Sequence, residues 1–543
     1  MTPGEDATRP ASPVADRDEE PDSEATAGLL LGAAAVAVAV AVLSPVLWLL
    51  LRAAEVGVAE AWALATSATA LEVLINSVVL VAVVTAASVV IGLALAVLTV
   101  QTDLPFARLW TVAAALPLVV PSYIGAFAYV SAFGPQGELA DLLAPLGVQA
   151  PTIYGLPGTA LVLTLFVYPY VFLTTRASLL SFDATQLEAA RTLNHGYRAA
   201  FRRVVLPQIA PGVAAGALLV ALYTLSDFGT PAIMGYDAFT RVIFVELGTF
   251  GRGRATVLAL ELLGVTALVL ALESHVGPDE STGHGSAAST ETVIELGVLR
   301  WPAMLLPALV ATFTLVLPVA ILGVWLFRSG PAYAGGGIAF EWAYGLNSVT
   351  VSLLAAAATV LLALPVAYYA GRSDSVVAEL AERSTYVGYA MPGVVLGLAL
   401  VFFGTRYAQE LYQTIPLLVF AYVVRFLPQA VGTTRSSVLG VDADLEGAAR
   451  VLGEGPGGAF RRVTLPLIAP GLAAGGMLVF LTTMKELPAT LILHPTGFTT
   501  LVTYIWRVQE AGYYGQAALP ALVLVAVSGL SMVLLLRAEG ADE

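Results

Sequence analysis

Asp227, Lys485 and Glu486 are ionisable residues set inside otherwise apolar stretches, SDFGTPAIM and MKELPATLIL. Asp227 and Glu486 stand 259 positions apart (486 − 227 = 259), each shortly before a proline, Pro231 or Pro488. A charge at membrane depth is costly and tends to face a pathway or a partner. Two uses are open. The three residues could line a translocation path on two central helices, or Lys485 could pair with Glu486 or Asp227 and fix the packing of two halves. Arg425 is a further candidate for the path, the alternative being a place near the outer interface where its long side chain could snorkel. Bond-making chemistry is not expected. The chain has no cysteine, which removes thiolate metal sites and cysteine nucleophiles. A phosphate-binding loop needs lysine followed by serine or threonine after a glycine-rich run. The single lysine, Lys485, sits between Met484 and Glu486. No catalytic residue and no metal site are therefore assigned. His275 and His284 lie in a polar segment with too few partners for a metal, and His195 reads as a surface residue.

The elements that carry these residues are membrane helices. The chain has 543 residues, 58% of them hydrophobic and 12% charged, with a mean hydropathy of +0.83. Runs of about 20 apolar residues make it an all-α polytopic membrane protein. Six spans are expected near 28–51, 75–100, 108–133, 156–180, 209–235 and 255–273. Six more are expected near 302–327, 347–371, 385–404, 414–436, 468–493 and 516–537. Pro117, Pro121, Pro169, Pro392 and Pro428 fall inside them and are tolerated where neighbouring helices satisfy the freed backbone groups. Residues 1–27 are acidic and polar, with too little apolar surface for a core, and are expected to be a disordered tail. The domain reading is a first half over 28–273, a polar linker over 274–300 and a second half over 301–538.

The halves repeat each other. Residues 183–211 read DATQLEAARTLNHGYRAAFRRVVLPQIAP, and 442–470 read DADLEGAARVLGEGPGGAFRRVTLPLIAP. Arg191 pairs with Arg450, Arg203 with Arg462 and Pro211 with Pro470, each at 259, so the copies align without a gap. Thr174-Thr175-Arg176 matches Thr433-Thr434-Arg435 at the same offset, and Asn76-Ser77-Val78 resembles Asn347-Ser348-Val349. Each copy of the polar stretch predicts a short helix followed by a new span. Asp183 with Gln186, and Asp442, are N-cap residues. Asn194 and Gly453 suit the left-handed stop of such a helix. Pro207, Pro211, Pro466 and Pro470 suit the start of the next one. Ala189, Ala190, Ala448 and Ala449 give it a small-residue face on which another backbone can dock.

Arginines concentrate in both hooks, which places them on the cytoplasmic side, and counting spans puts both termini there too. Arg241, Arg252 and Arg254 fall outside and argue mildly the other way. An even number of spans per half makes two parallel six-helix repeats about an axis along the membrane normal.

The repeated hook resembles the EAA loop of the inner-membrane permease subunits of ABC importers. The first copy supplies Glu188-Ala189-Ala190, Asn194 where the family has glycine, Val204 and Leu206-Pro207. The second supplies Gly447-Ala448-Ala449 with Glu446 one place early, then Gly453, Val463 and Leu465-Pro466. The stretches MKELPATLILHPTGF and SDFGTPAIMGYDAFTRVIF are similar to those of ferric-iron importer permeases with two fused halves. The resemblance implies a type I importer permease fold of about 12 membrane helices in the cell membrane. It implies an extracellular binding protein that delivers substrate, and two copies of an ATPase subunit that bind ATP, with no cofactor on this chain and no nucleic acid. Glu188, Ala189, Ala190, Arg191 and Asn194 would meet one ATPase, and Glu446, Gly447, Ala448, Ala449, Arg450 and Gly453 the other. ATP-driven closure would switch the pore between outward-facing and inward-facing states. Thiamine and polyamine permeases are closely related, and the binding protein usually sets selectivity, so Asp227 and Glu486 need not touch iron. A secondary transporter driven by an ion gradient shares the repeat but does not require two matched hooks.

Overall fold

Apolar residues cover more than one face of each long helix. Along 68–100, Val73, Ser77, Leu80, Val84 and Ser88 are buried at three- and four-residue spacing, while Leu71, Ile75, Val83 and Val90 are exposed. A helix apolar on its outer face as well as its inner one has lipid, not water, for solvent. The computed structural model describes residues 20–134, 145, 153–182, 201–249, 251–276, 294–327 and 338–539. Among these, ten helices are long and apolar enough to cross a membrane, and two bent pairs raise the number to 12.

The first half runs α1 (Glu20–Val56), α2 (Ala68–Val100), α3 (Ala107–Ala115), α4 (Ser122–Phe133), α5 (Gly155–Leu180), α6 (Leu206–Ser226), α7 (Gly229–Ile233), α8 (Phe239–Gly248) and α9 (Arg252–Val276). The second half opens with α10 (Leu305–Ala311) and α11 (Leu317–Phe327). It continues through α12 (Trp342–Arg372), α13 (Val376–Thr385), α14 (Gly393–Arg406), α15 (Ile415–Leu439) and α16 (Ala443–Val451). It closes with α17 (Leu465–Lys485), α18 (Pro488–Leu493), α19 (Leu501–Glu510) and α20 (Tyr514–Glu539). Helix α1 begins at Glu20, inside the stretch expected to be disordered; residues 1–19 lie outside the described residues.

Four of the expected spans are broken. The span over 107–133 bends by 93° and that over 376–406 by 103°. Pro121 and Pro392 mark the two corners, capping α4 and α14. A proline forces the preceding residue out of helical geometry, and Val120 and Met391 are extended at ψ 123° and 105°. Pro169 and Pro428 sit inside α5 and α15 without such a corner. The spans expected over 209–235 and 468–493 also stop short. α6 ends at Ser226 and α17 at Lys485, and the short helices α7 and α18 each follow after two residues.

In each half three helices form the central bundle, α2, α5 and α6 or α12, α15 and α17. Small residues let them close. A Cβ on Gly216 would lie 2.7 Å from the Val171 Cα, and one on its mate Gly475 would lie 3.1 Å from the Ala430 Cα and 2.5 Å from the Thr433 Oγ1. Overpacking costs about 1–3 kcal/mol, against the roughly 1 kcal/mol that alanine gains over glycine in a helix. Gly475→Ala is therefore expected to lower the thermal unfolding midpoint in detergent. Gly432→Ala, where a Cβ would meet nothing within 4 Å, should raise it or leave it unchanged. Equal shifts for the two would refute the close-packing account.

The first span of each half crosses to the other. The buried face of α1 (Ala35, Val38, Val42, Leu49) joins a core with Val351, Val394 and Leu398 of the second half. Reciprocally, α10 and α11 pack on α3 and α4, where Trp325 is buried edge-on against Phe127. The matched Asn-Ser pairs pin the loops before α8 and α19. Asn76 donates to the Asp237 carbonyl (3.2 Å) and Asn347 to that of Thr499 (2.9 Å). Ser77 and Ser348 accept the amides of Phe239 (3.0 Å) and Leu501 (2.8 Å).

Candidate translocation site

Asp227 and Glu486 stand where α6 and α17 have ended and α7 and α18 have yet to begin. A helix start exposes amides without partners, and each carboxylate takes them. Asp227 Oδ1 accepts the Thr230 amide at 2.8 Å. Glu486 Oε2 accepts the amides of Ala489 at 3.1 Å and Thr490 at 3.4 Å. Both acids thus hold a break open inside the bundle, at the same point of each repeat.

The second contact of each acid differs, and the repeat shows why. Asp227 Oδ2 accepts the Ser122 hydroxyl, which in turn accepts from Tyr223 (3.3 Å). The position matching Ser122 in the second half is Gly393, by the 271 offset that relates Asn76 to Asn347. A side chain at Gly393 would collide with Glu486 and come within 3.0 Å of the Arg425 guanidinium. With that space empty, Arg425 reaches Glu486 at 3.7 Å, their side chains 18% and 3% exposed, and also donates to the Met391 carbonyl (3.3 Å). In the first half, Phe166 replaces Arg425 and packs where Gly125 leaves room for it. One half therefore hydrogen-bonds its buried acid to a hydroxyl, and the other pairs it with a guanidinium.

Lys485 joins the halves. It makes neither of the expected pairs with Glu486 or Asp227; its ammonium donates to the Leu118 carbonyl at 2.8 Å, in the turn just before the first-half corner. Its mate in the first half is Ser226, too short for the reciprocal bond. Arg425 lies at the centre of the molecule rather than at an outer interface. It lines, with Asp227, Lys485, Glu486, Ser122 and Tyr123, a cavity of about 160 Å³ between the halves. The sequence pointed to the acids and the lysine by their apolar surroundings. Ser122 and Tyr123 carried no such signal, being ordinary residues in an apolar run.

The hooks are the second candidate site. Glu188, Ala189, Ala190, Arg191 and Asn194 lie outside the described residues, as do Asp183 and Gln186. The second hook forms the expected short helix, α16. Asp442 caps it by accepting the Asp444 amide (3.0 Å), and Gly453 follows it with φ of 93°. Glu446 faces inward: it is 7% exposed and accepts the Tyr368 hydroxyl at 2.8 Å. Ala449 is also buried, whereas Gly447, Ala448 and Arg450 are exposed. Arg372 donates to the Val441 carbonyl (3.2 Å), tying the hook to the end of α12. Val451 and Leu452, two apolar side chains with no distinguishing signal in the sequence, are 88% and 85% exposed. Phe460–Thr464, like Phe201–Val205 in the first half, forms one wide π-helical turn leading directly into the long helix that ends at the buried acid.

Two copies of one helix bundle, clasped across a charged cavity, the second carrying the polar hook helix expected from its sequence, define the membrane-spanning component of a transporter. The chain belongs to the family described as binding-protein-dependent transport system inner membrane component, whose model matches residues 88–279 and again 363–539. It is an ABC importer permease with two fused halves. It is 29% identical over 496 residues to the Fe(3+)-transport system permease protein FbpB 2 of Haemophilus influenzae, covering 90% of this chain and 94% of the relative. It is 23% identical to the ferric transport system permease protein FbpB of Actinobacillus pleuropneumoniae, over 84% of this chain and 69% of the relative. A shorter stretch, 28% of this chain and 57% of the relative, is 30% identical to the putative 2-aminoethylphosphonate transport system permease protein PhnV of Salmonella typhimurium.

Proposed function

We propose that this chain is the pore of an ATP-driven importer of ferric iron. The similarity along 90% of its length to an Fe(3+)-transport permease carries the substrate reading. An extracellular binding protein would deliver the iron, and two ATPase subunits, holding the ATP, would dock on the two hooks from the cytoplasm, where both termini also lie. The chain itself hydrolyses nothing. The second hook supports a lever mechanism. From Leu465 to Lys485 a single helix of 21 residues, about 30 Å long at 1.5 Å per residue, links the hook to the cavity. Pulling the hook moves Lys485 against Leu118 and Glu486 against Arg425, so ATPase closure is felt at the contact between halves. Alternating access then follows from rigid movement of one half against the other.

The test is uptake of radiolabelled ferric iron into vesicles carrying the chain, its ATPase and its binding protein. ATP-dependent entry unaffected by excess thiamine, polyamine or 2-aminoethylphosphonate is expected. Entry of a competitor in place of iron would keep the importer and change its cargo. Entry that persists without the ATPase would overturn the ATP-driven reading.

A further inference from the structure

We infer that cargo crosses the central cavity as an oxyanion-bearing species, iron included: a ferric ion still held by carboxylate or phosphate oxygens rather than a bare cation. The inference rests on the permease reading above and concerns the chemistry of its path. Each oxygen of the two carboxylates in the cavity already has a donor beside it. Asp227 has Thr230 on one oxygen and Ser122 on the other. Glu486 has Ala489 and Thr490 on one oxygen and Arg425 beside the other. The donors are not spent. The Lys485 ammonium carries three N–H groups, of which the Leu118 carbonyl takes one. Tyr123 is among the residues lining the same cavity and is only 5% exposed, and its hydroxyl, itself buried, has no hydrogen-bond partner among the described residues. Buried polar groups nearly always have one. A ligand that supplies oxygen lone pairs satisfies the Lys485 N–H groups that the fold leaves open, with Tyr123 beside them.

The repeat argues that these donors are not a by-product of the fold. The positions matching Lys485 and Arg425 in the first half hold Ser226 and Phe166, and that half closes without a cation. The two cations and two carboxylates sum to zero, so an anion is met by donors without being trapped. Transit requires that balance.

The test uses the assembled permease–ATPase complex in detergent, followed by thermal unfolding with orthophosphate, at ionic strength matched by chloride. Phosphate is expected to raise the wild-type midpoint. Tyr123→Phe should require about tenfold more phosphate for the same shift, as loss of one hydrogen bond to a charged group predicts. Lys485→Met should abolish the shift, while Lys485→Arg retains part of it. Spermidine should give none. The inference fails if phosphate has no effect, if it stabilises every variant equally, or if spermidine stabilises the complex instead. Iron uptake is a separate readout. Failed uptake with an intact phosphate response overturns only the iron assignment, and normal uptake without that response overturns only this one.

Discussion

Arg425→Met is expected to destabilise the folded protein by about 3–5 kcal/mol, the cost of leaving one member of a buried ion pair unpaired. Glu486 is 5% exposed and cannot turn to water, and its contacts with Ala489 and Thr490 hold it at the start of α18. Adding Glu486→Gln to Arg425→Met should recover most of the loss. The amide still accepts through its oxygen from the α18 amides and leaves no charge behind. The cycle of single and double variants isolates the pair, read as thermal midpoints of the purified chain. The matching change in the first half, Ser122→Ala, removes only a neutral hydroxyl from Asp227 and should cost about 1–3 kcal/mol. If Arg425→Met unfolds at the wild-type temperature, the guanidinium does not serve Glu486.

Leu452→Asp is expected to leave the chain folded while cutting its affinity for the ATPase roughly thirtyfold, about 2 kcal/mol, the scale of an interface hot spot. Leu452 and Val451 are 85% and 88% exposed at the end of α16, so a carboxylate there disturbs no packing within the chain. Ala449→Trp separates surface from support. With Ala449 only 9% exposed, an indole would push α16 off its seat and lower stability as well as association. Co-purification of ATPase with each variant, beside its melting curve, distinguishes the two. Full co-purification with Leu452→Asp would show that the apolar end of the hook is not the docking face.

Much of this architecture was legible in the sequence because it repeats. A constant offset of 259 located both hooks and both buried acids, and apolar run length located the spans. What escaped was whatever the repeat does not conserve or composition does not mark. Asp227 and Glu486 looked like charges within helices because the residues around them are apolar on every side. The break at each is made by a carboxylate competing for helix-start amides, which leaves no trace in hydropathy. Arg425 could be read as a snorkelling side chain because its long stem allows it and nothing in the sequence shows what the guanidinium faces. The vacancy at Gly393 that draws it inward appears only when the two halves are superposed. Glu446 looked like a docking acid one place out of register, but Tyr368, distant in sequence, turns it toward the protein.

The exchange of first spans constrains how the chain is made. Val42 on α1 shares a core with Leu398 on α14, 356 positions later in the chain (398 − 42 = 356). At about 5–20 residues per second of synthesis, α1 waits in the bilayer for roughly 20–70 s before that partner exists. During this interval the bundle of the first half can close, yet one face of its opening helix has only lipid against it. The fused gene shortens the search that follows, since the late partner arrives tethered rather than by diffusion. Assembly is therefore completed from the C-terminal side, and a ribosome that stalls within the second half leaves behind a nascent protein whose first helix is unclaimed.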